Sequence, residues 1–330
     1  MNWSLCRPTP SPATILTVAK MLSFALSCVA CAARAEAADP FEDLLKSKPD
    51  RADAGLPWEE IHAAKKAYSL FRPTPRSLRR EFLTDRPDKT LTPVTVDAGH
   101  WQVESDFVTY KHDRDQQPQE QGLQDRGFYS FALSNVRVGL TNDTDLHVIV
   151  QPFEYVSRTA ARAGATVADQ NAFGFGDMSV MAKHNLWGND GGPTALGCAA
   201  RVDAPTGARE ITSGYWEGGS SIFWLRRLPG KTYFGLEFGI DVRENVRALG
   251  YHAEFLNSAS LAISLTERLG TKAELASITS TEQGQPWEGI FAMALLYQPL
   301  DDCQLDVGIN IGLTKPAADW NPYVGGSIRF

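Results

Sequence analysis

The feature that most constrains this chain is an apolar residue at every second position along two long segments. In a β-strand, residues two apart lie on the same face of the sheet. Thr232–Arg243 and Gln304–Leu313 therefore each have one apolar face and one face of glycine and polar residues. The apolar members are Phe234, Leu236, Phe238, Ile240, Val242, Leu305, Val307, Ile309, Ile311 and Leu313. Such faces suit strands with lipid on one side and water or polar packing on the other.

The same two-residue period predicts twelve strands between Ala98 and Phe330. They lie near 99–110, 128–140, 145–155, 175–187, 194–203, 219–227, 232–243, 253–265, 270–278, 288–298, 303–313 and 322–330. The connections after even-numbered strands are short, and those after odd-numbered strands are longer and richer in charge and glycine. In outer-membrane barrels short turns face the periplasm and long loops face outward, with an even strand count. The sequence therefore predicts an all-β fold, an antiparallel transmembrane β-barrel of twelve strands over residues 98–330.

The final strand ends on an aromatic residue. Its alternating positions include Val324, Ile328 and Phe330. Aromatic residues sit at the membrane interface of such barrels, and the assembly machinery reads the closing strand. We therefore expect Phe330 to be the contact with the barrel-assembly machinery.

Residues 1–37 have the pattern of a Sec-type signal peptide. Arg7 and Lys20 form a basic region, an apolar run covers 21–33, and small residues at Ala35 and Ala37 offer a cleavage site. The apolar run is too short to span a bilayer. A lipoprotein at Cys28 or Cys31 is the alternative, which the absence of leucine three residues upstream disfavours. With the barrel pattern, this predicts export to the outer membrane of a Gram-negative bacterium.

Residues 38–97 differ from the rest of the chain. Pro40–Leu45 and Trp58–Phe71 have helical patterns, and a basic connector with several prolines follows over 72–80. In the second pattern Ile61, Ala64, Tyr68 and Phe71 recur at helical spacing. We predict a periplasmic, helical or irregular extension. Partial disorder and a plug inside the barrel are the two alternatives for it.

Charge and cysteine content exclude several classes of protein. Without residues 1–37, 29 basic and 38 acidic residues remain, a net charge of −9, which argues against nucleic acid as a partner. The two remaining cysteines, Cys198 and Cys303, are far apart and have no metal-ligand spacing. We expect no disulfide, no metal site and no cofactor.

The polar faces of the predicted strands supply candidate lumen-lining residues. These are Gln102, Glu104, Asp106, Arg137, Asp177, Lys183, Glu237, Asp241, Arg243, Lys272, Glu274, Asp306, Asn310 and Arg329. A charge facing lipid at the middle of a bilayer costs ~2–4 kcal/mol, so this mixture of signs is expected inside. Two interpretations stay open: the residues line a pore, or they cross-link a filled lumen through paired charges.

A barrel hydrolase is the enzymatic alternative. It needs a serine, a histidine and an orienting polar residue close together. His252 lies near Glu254, with Ser258 and Ser260 further along the same strand, but no phospholipase signature surrounds them. We therefore expect no enzymatic activity. A periplasmic ligand-binding β-protein is a third possibility.

Several blocks of sequence carry a resemblance to a known family. They are Asp85–Thr90 leading into Val96–Glu104, Gly174–Asp177 with Lys183–Leu186, Ala204–Gly207, Gln304–Thr314 and Asn321–Phe330. In order and spacing they resemble the bacterial outer-membrane transporter family named for the meta-pathway of phenol degradation, over about residues 85–330. The resemblance implies a monomeric barrel in outer-membrane lipid. It also implies a channel for passive passage of a small-molecule solute, aromatic or otherwise apolar.

Overall fold

The computed structural model describes residues 57–87, 89–115, 123–162, 165–245 and 249–330, with only the backbone at 114–115, 123–126, 158–162 and 165–170. The predicted signal peptide and the helix predicted at Pro40–Leu45 lie outside these residues. None of the helices in the described ranges is long and apolar enough to cross a membrane.

The described chain contains one α-helix, α1 (Trp58–Lys65), a 3-10 turn (Arg76–Leu78) and fourteen strands. The strands are β1 Trp101–Asp115, β2 Leu123–Gly139, β3 Thr144–Val150, β4 Phe153–Arg162, β5 Ala165–Gly174, β6 Met178–Trp187, β7 Thr194–Ala204, β8 Glu217–Leu228, β9 Thr232–Glu244, β10 Tyr251–Ser264, β11 Leu269–Ser280, β12 Glu288–Leu300, β13 Cys303–Gly312 and β14 Trp320–Arg329.

The strands form one closed antiparallel sheet, because β1 pairs with both β2 and β14. Two of the barrel's strands are each broken into two segments. β2 pairs with β3 along one half and with β4 along the other, while β3 pairs with β6 and β4 with β5. The break between β3 and β4 contains Pro152, which has no N–H to donate. The break between β5 and β6 contains Gly176, whose N–H donates to Gln151 O at 2.9 Å. The fourteen segments therefore make a twelve-stranded β-barrel, as the sequence predicts.

Two outer connections differ from the prediction. The long loops expected at 111–127 and 156–174 are largely strand. In the first, β1 continues to Asp115 and β2 begins at Leu123; in the second, β4 continues to Arg162 and β5 begins at Ala165. Their charged composition suggested loops. A strand segment without lipid beside it needs no apolar face, so alternation is absent where backbone pairing continues.

The predicted helix over Trp58–Phe71 is shorter than expected, because α1 ends at Lys65. Ser69 forms bridges with Thr141 and Arg72, which takes the chain out of the helix before Pro73. Phe71, predicted on the apolar stripe, is 94% exposed. The residue that α1 buries is Lys65, which is 0% exposed.

Apolar side chains cover the outside of the barrel. On β9, Leu236, Phe238 and Val242 are 41%, 45% and 48% exposed, and on β13 Val307 is 46% exposed. The alternate residues face inward, where Glu237 and Asp306 are buried. The period of two therefore separates a lipid-facing surface from a polar lumen.

Leu236→Arg should lower the yield of assembled barrel. The arginine would face lipid midway along β9, at a cost of ~2–4 kcal/mol if it lies near mid-bilayer. Ser221→Arg on β8 is the matched control, because Ser221 shares a lumenal cavity with Glu237 and Asp241. Heat-modifiable mobility on gels measures the folded fraction, and equal losses in the two variants would contradict this orientation of the strands.

Candidate functional site: a plugged lumen

Residues 79–87 and 89–97, here called the lumenal segment, run through the interior of the barrel. Phe82, Val94 and Val96 on this segment are at most 5% exposed. Its polar atoms bond to lumen-facing residues on strands from β1 round to β14. In the described residues, this part of the chain therefore occupies the barrel interior.

Asp85 is at the centre of the largest buried charge cluster. Lys183 Nζ on β6 lies 2.7 Å from both carboxylate oxygens of Asp85. Arg137 Nη1 on β2 lies 3.1 Å from Asp85 Oδ2. Arg137 also contacts Glu104 at 2.6 Å and Asp145 at 2.8 Å. A charge from the lumenal segment thus completes a cluster formed by four strands of the wall, β1, β2, β3 and β6.

Arg86, the next residue, connects the lumenal segment to strands at the β1–β14 seam of the barrel. Its guanidinium bonds to Asp106 on β1 and lies 2.6 Å from Asp306 Oδ1 on β13. The backbone N–H groups of Asp85 and Arg86 donate to Glu104 Oε2 at 3.1 and 3.0 Å. Charge-assisted bonds of this kind are among the stronger ones in proteins.

A second buried cluster joins α1 and the lumenal segment to the short-turn end of the barrel. Lys65 Nζ contacts Asp97 at 2.5 Å and also Asp190 in the β6–β7 turn. Arg80 lies 3.2 Å from each of these carboxylates. Asp97 Oδ2 is 3.7 Å from Arg329 on β14.

The charges of this cluster control the pKa of its members. Burial alone would raise the pKa of Asp97, but Arg80, Lys65 and Arg329 outweigh it and lower the pKa to about 2. The pKa of Asp190 is also lowered, because Arg80 and Lys65 outweigh its burial. Burial and the charge of Arg80 lower the pKa of Lys65 despite its two carboxylate partners.

Towards the long-loop end, two carboxylates of the wall hold the backbone of the lumenal segment. Glu274 on β11 accepts from Thr90 N at 2.7 Å and from Lys89 N at 3.2 Å. Glu237 on β9 accepts from Leu91 N at 2.6 Å. Thr90 Oγ1 and Ser258 Oγ on β10 are 2.7 Å apart. On this side of the barrel, neutral donors of the segment meet wall carboxylates.

Beyond this point the lumen widens into a partly exposed group of charges, here called the outer charge belt. Arg201 on β7 lies 2.9 Å from both Asp203 and Asp241. Arg243 lies 2.7 Å from Glu217. These side chains are 12–33% exposed, unlike the buried charges around the lumenal segment.

The structure divides the predicted lumen-lining residues into two groups. Those that bond to the lumenal segment are Gln102, Glu104, Asp106, Arg137, Lys183, Glu237, Glu274, Asp306 and Arg329. The other five make contacts elsewhere. Asp241 and Arg243 belong to the outer charge belt. Asn310 donates to Asn321, Lys272 lines a cavity beside Arg86, and the fifth residue is Asp177. Asp177 lies in the break between β5 and β6 and accepts from Gly207 N at 2.8 Å.

Sequence reasoning missed the partners on the lumenal segment, above all Arg80, Asp85, Arg86 and Asp97. They have no periodic signal, since the segment is neither helix nor strand. It also missed Asp145, which stands at an inward position of β3 opposite Lys183 and could have been found by its register.

The residues of the enzymatic alternative do not come together. His252 Nδ1 contacts Asn245 at 3.0 Å, and its Nε2 lies 3.3 Å from Glu254. Ser258 faces Thr90 instead, and Ser260 is buried next to Gly235. In the described ranges no group of histidine, cysteine and carboxylate side chains has a geometry that could hold a metal ion.

The comparisons with known proteins agree with this architecture. The family described as "Putative MetA-pathway of phenol degradation" matches residues 84–330. The chain belongs to this family. The match begins at Thr84, so it includes most of the lumenal segment as well as the barrel.

Solved structures with a similar fold include the COG4313 outer membrane channel from Pseudomonas putida F1. It is 12% identical, with a TM-score of 0.50, and the match covers 75% of this chain and 100% of that one. The NanC porin is 11% identical with a TM-score of 0.42, covering 69% of this chain and 98% of that one. No curated protein matches the chain. The fold is that of an outer-membrane β-barrel of the channel type.

Acid should weaken the attachment of the lumenal segment only at low pH. The pKa of Asp97 is depressed to about 2 from an ordinary value near 4. Its stabilisation, about 2–3 kcal/mol, is therefore complete above pH ~4 and is lost as pH falls towards 2. We expect Asp97→Asn to lower the free energy of unfolding at pH 7. Between pH 4 and 2, the free energy of unfolding of this variant should fall less steeply than that of the parent protein. Parallel acid profiles for the two proteins in urea titrations would refute this role.

Proposed function

We propose that this protein is an outer-membrane channel for passive passage of small solutes, aromatic or otherwise apolar, and that the lumenal segment controls the passage. The observation that carries the proposal is the uneven attachment of that segment. Ion pairs join it to β1, β2, β6, β13 and β14. Towards β9, β10 and β11 it makes hydrogen bonds from neutral groups.

This asymmetry favours a channel over a barrel that is merely stiffened. At Asp85 and Arg86 the segment is fixed by buried ion pairs, which are costly to break. At Thr90 and Leu91 the contacts are hydrogen bonds from two backbone N–H groups and a hydroxyl, each worth about 1.5–3 kcal/mol where the acceptor is a charged carboxylate. A displacement of Thr90 and Leu91 towards the centre of the lumen breaks these hydrogen bonds and leaves the ion pairs of Asp85 and Arg86 in place.

Channel-type relatives support a non-enzymatic role, and the separation of His252 from Ser258 supports it further. Export through a Sec-type signal peptide over residues 1–37 and a monomeric barrel belong to the same proposal. So does recognition of Phe330 by the assembly machinery. The Phe330 backbone pairs with Trp101 at the barrel seam while its side chain is 59% exposed, which leaves the ring available for a contact.

A reversible cross-link tests the control of passage. With Cys198 and Cys303 replaced by serine, Thr90→Cys and Ser258→Cys place two thiols where the native hydroxyl oxygens are 2.7 Å apart, within reach of a disulfide. We expect oxidation to abolish single-channel openings in planar bilayers and reduction to restore them. The Cys-free parent is the control. Openings that are identical in the oxidised and reduced states would contradict a moving lumenal segment.

The two groups of inward charges should respond differently to neutralisation. Asp241 lies in the partly exposed outer charge belt, where low-dielectric walls focus the field on entering ions. Asp241→Asn should therefore shift the reversal potential in a salt gradient towards anion selectivity, because it removes one of the two carboxylates, Asp203 and Asp241, that lie 2.9 Å from Arg201. Glu237→Gln should instead raise the frequency of openings by weakening the bond to Leu91 N. An unchanged reversal potential in Asp241→Asn would remove the outer charge belt from the path.

A further inference from the structure

We propose that the Leu91 side chain is the apolar gate of the solute path, closing the passage between two cavities in the lumen. This rests on the proposed function and specifies where, within the barrel, a solute would pass. Leu91 is a single residue of the lumenal segment, and nothing in the family match or in the similar folds assigns it a role.

The first cavity lies on the long-loop side of Leu91 and has a volume of about 170 Å³. Here it is called the outer cavity. Ile149, Met181, Ala199 and Leu256 give it an apolar wall, and Arg201 and Asp241 of the outer charge belt lie at its edge, among other lining residues. A volume of this order, about 150 Å³, holds one benzene-sized ring. The outer cavity therefore suits a single-ring molecule with a polar substituent.

The second cavity, here called the inner cavity, has a volume of about 90 Å³. Its walls include Leu83 and Arg86 of the lumenal segment and Tyr233, Gly235 and Ser260 of the barrel. Small residues create both spaces: Gly235 and Ser260 in the inner cavity, and Gly219, Gly239 and Ala199 in the outer cavity.

Leu91 lines both cavities, and the proposal places the closed point of the path at its side chain. Its side chain packs against a buried apolar cluster formed by Met181, Ala199 and Phe223. A narrow apolar constriction in a polar lumen stops ions and water by dewetting. Because the contact between Leu91 and this cluster is apolar, its separation breaks no ion pair. A solute that enters the outer cavity can therefore displace the Leu91 side chain.

The backbone at this point is held so that Leu91 faces the cluster. Glu237 accepts from Leu91 N and Glu274 accepts from Thr90 N, and the two carboxylates come from β9 and β11. On the far side of the segment, Lys183 Nζ binds Thr92 O at 3.0 Å. The Leu91 side chain is thus placed in the passage by a backbone that is held from both directions.

The test is Leu91→Ala in the full-length protein that carries the Thr90–Ser258 disulfide. With the backbone locked by oxidation, the protein with Leu91 should stay closed. Leu91→Ala in the same oxidised protein should show a several-fold higher single-channel conductance, because the two cavities become continuous without movement of the segment. Leu91→Met, which keeps the volume, should stay closed.

Two further variants separate the gate from general loosening. Val94→Ala removes a similar buried apolar group from the lumenal segment, but Val94 lines neither cavity, so it should leave the locked protein closed. Gly239→Val places a side chain in the outer cavity and so fills part of it. A Cβ at this position would make only ordinary contacts of 3.4 Å and longer. Combined with Leu91→Ala, Gly239→Val should reverse the gain in conductance.

The outcomes distinguish this inference from the proposed function. If openings depend on oxidation but the oxidised Leu91→Ala protein stays closed, the proposed channel function is supported and the assignment of Leu91 as the gate is wrong. If Val94→Ala opens the locked protein as much as Leu91→Ala, the gate is also wrong. If neither reduction nor any substitution yields openings in correctly folded protein, judged by heat-modifiable mobility, the proposed function itself fails.

Discussion

Charge compensation between the lumenal segment and the barrel wall is the interaction on which the rest of this structure depends. The wall alone places Arg137 on β2 and Lys183 on β6 on either side of β3, which carries Asp145, and β1 adds Glu104; all four side chains are buried. Asp85 adds the carboxylate that Lys183 contacts through both oxygens. Arg86 then supplies the cation between Asp106 and Asp306. Removing one partner of such a buried pair is strongly destabilising, because it leaves an unpaired charge. Segment and barrel are thus parts of one compact unit.

The same pairing gives the lumen its two sides. Ion pairs fix the segment to the seam where β1, β13 and β14 meet and to β2 and β6. The glycines and small side chains that border the two cavities lie on β7–β10, and Ile149 on β3 and Met181 on β6 also line the outer cavity. A polar lumen of this kind is compatible with closure at rest and with passage of a small molecule along one wall. Under the proposed function, the outer charge belt, where arginines and carboxylates are partly exposed, would be the entrance that a solute meets first.

The sequence predicted the barrel because lipid imposes a period of two on every strand. It also found most of the inward charges, since Glu104, Lys183 and Asp306 follow from register alone. The breaks at Pro152 and Gly176 and the long β4–β5 hairpin were missed, because strands away from lipid lose the alternation. The partners of the inward charges could not be predicted. Asp85 and Lys183 are 98 residues apart, and an irregular segment carries no period that would align one with the other. The resemblance did begin at Asp85, which indicates that this segment belongs with the barrel.

Native-state hydrogen exchange at the backbone of the lumenal segment tests the central claim most directly. The amides of Asp85 and Arg86 donate to Glu104, that of Thr90 to Glu274 and that of Leu91 to Glu237. If the segment is a built-in part of the closed lumen, these four amides should be protected far beyond an unstructured chain. Thr90 and Leu91 should exchange before Asp85 and Arg86, because hydrogen bonds hold Thr90 and Leu91, whereas Asp85 and Arg86 also form buried ion pairs. Exchange of all four at the rate of an unstructured peptide would contradict the account.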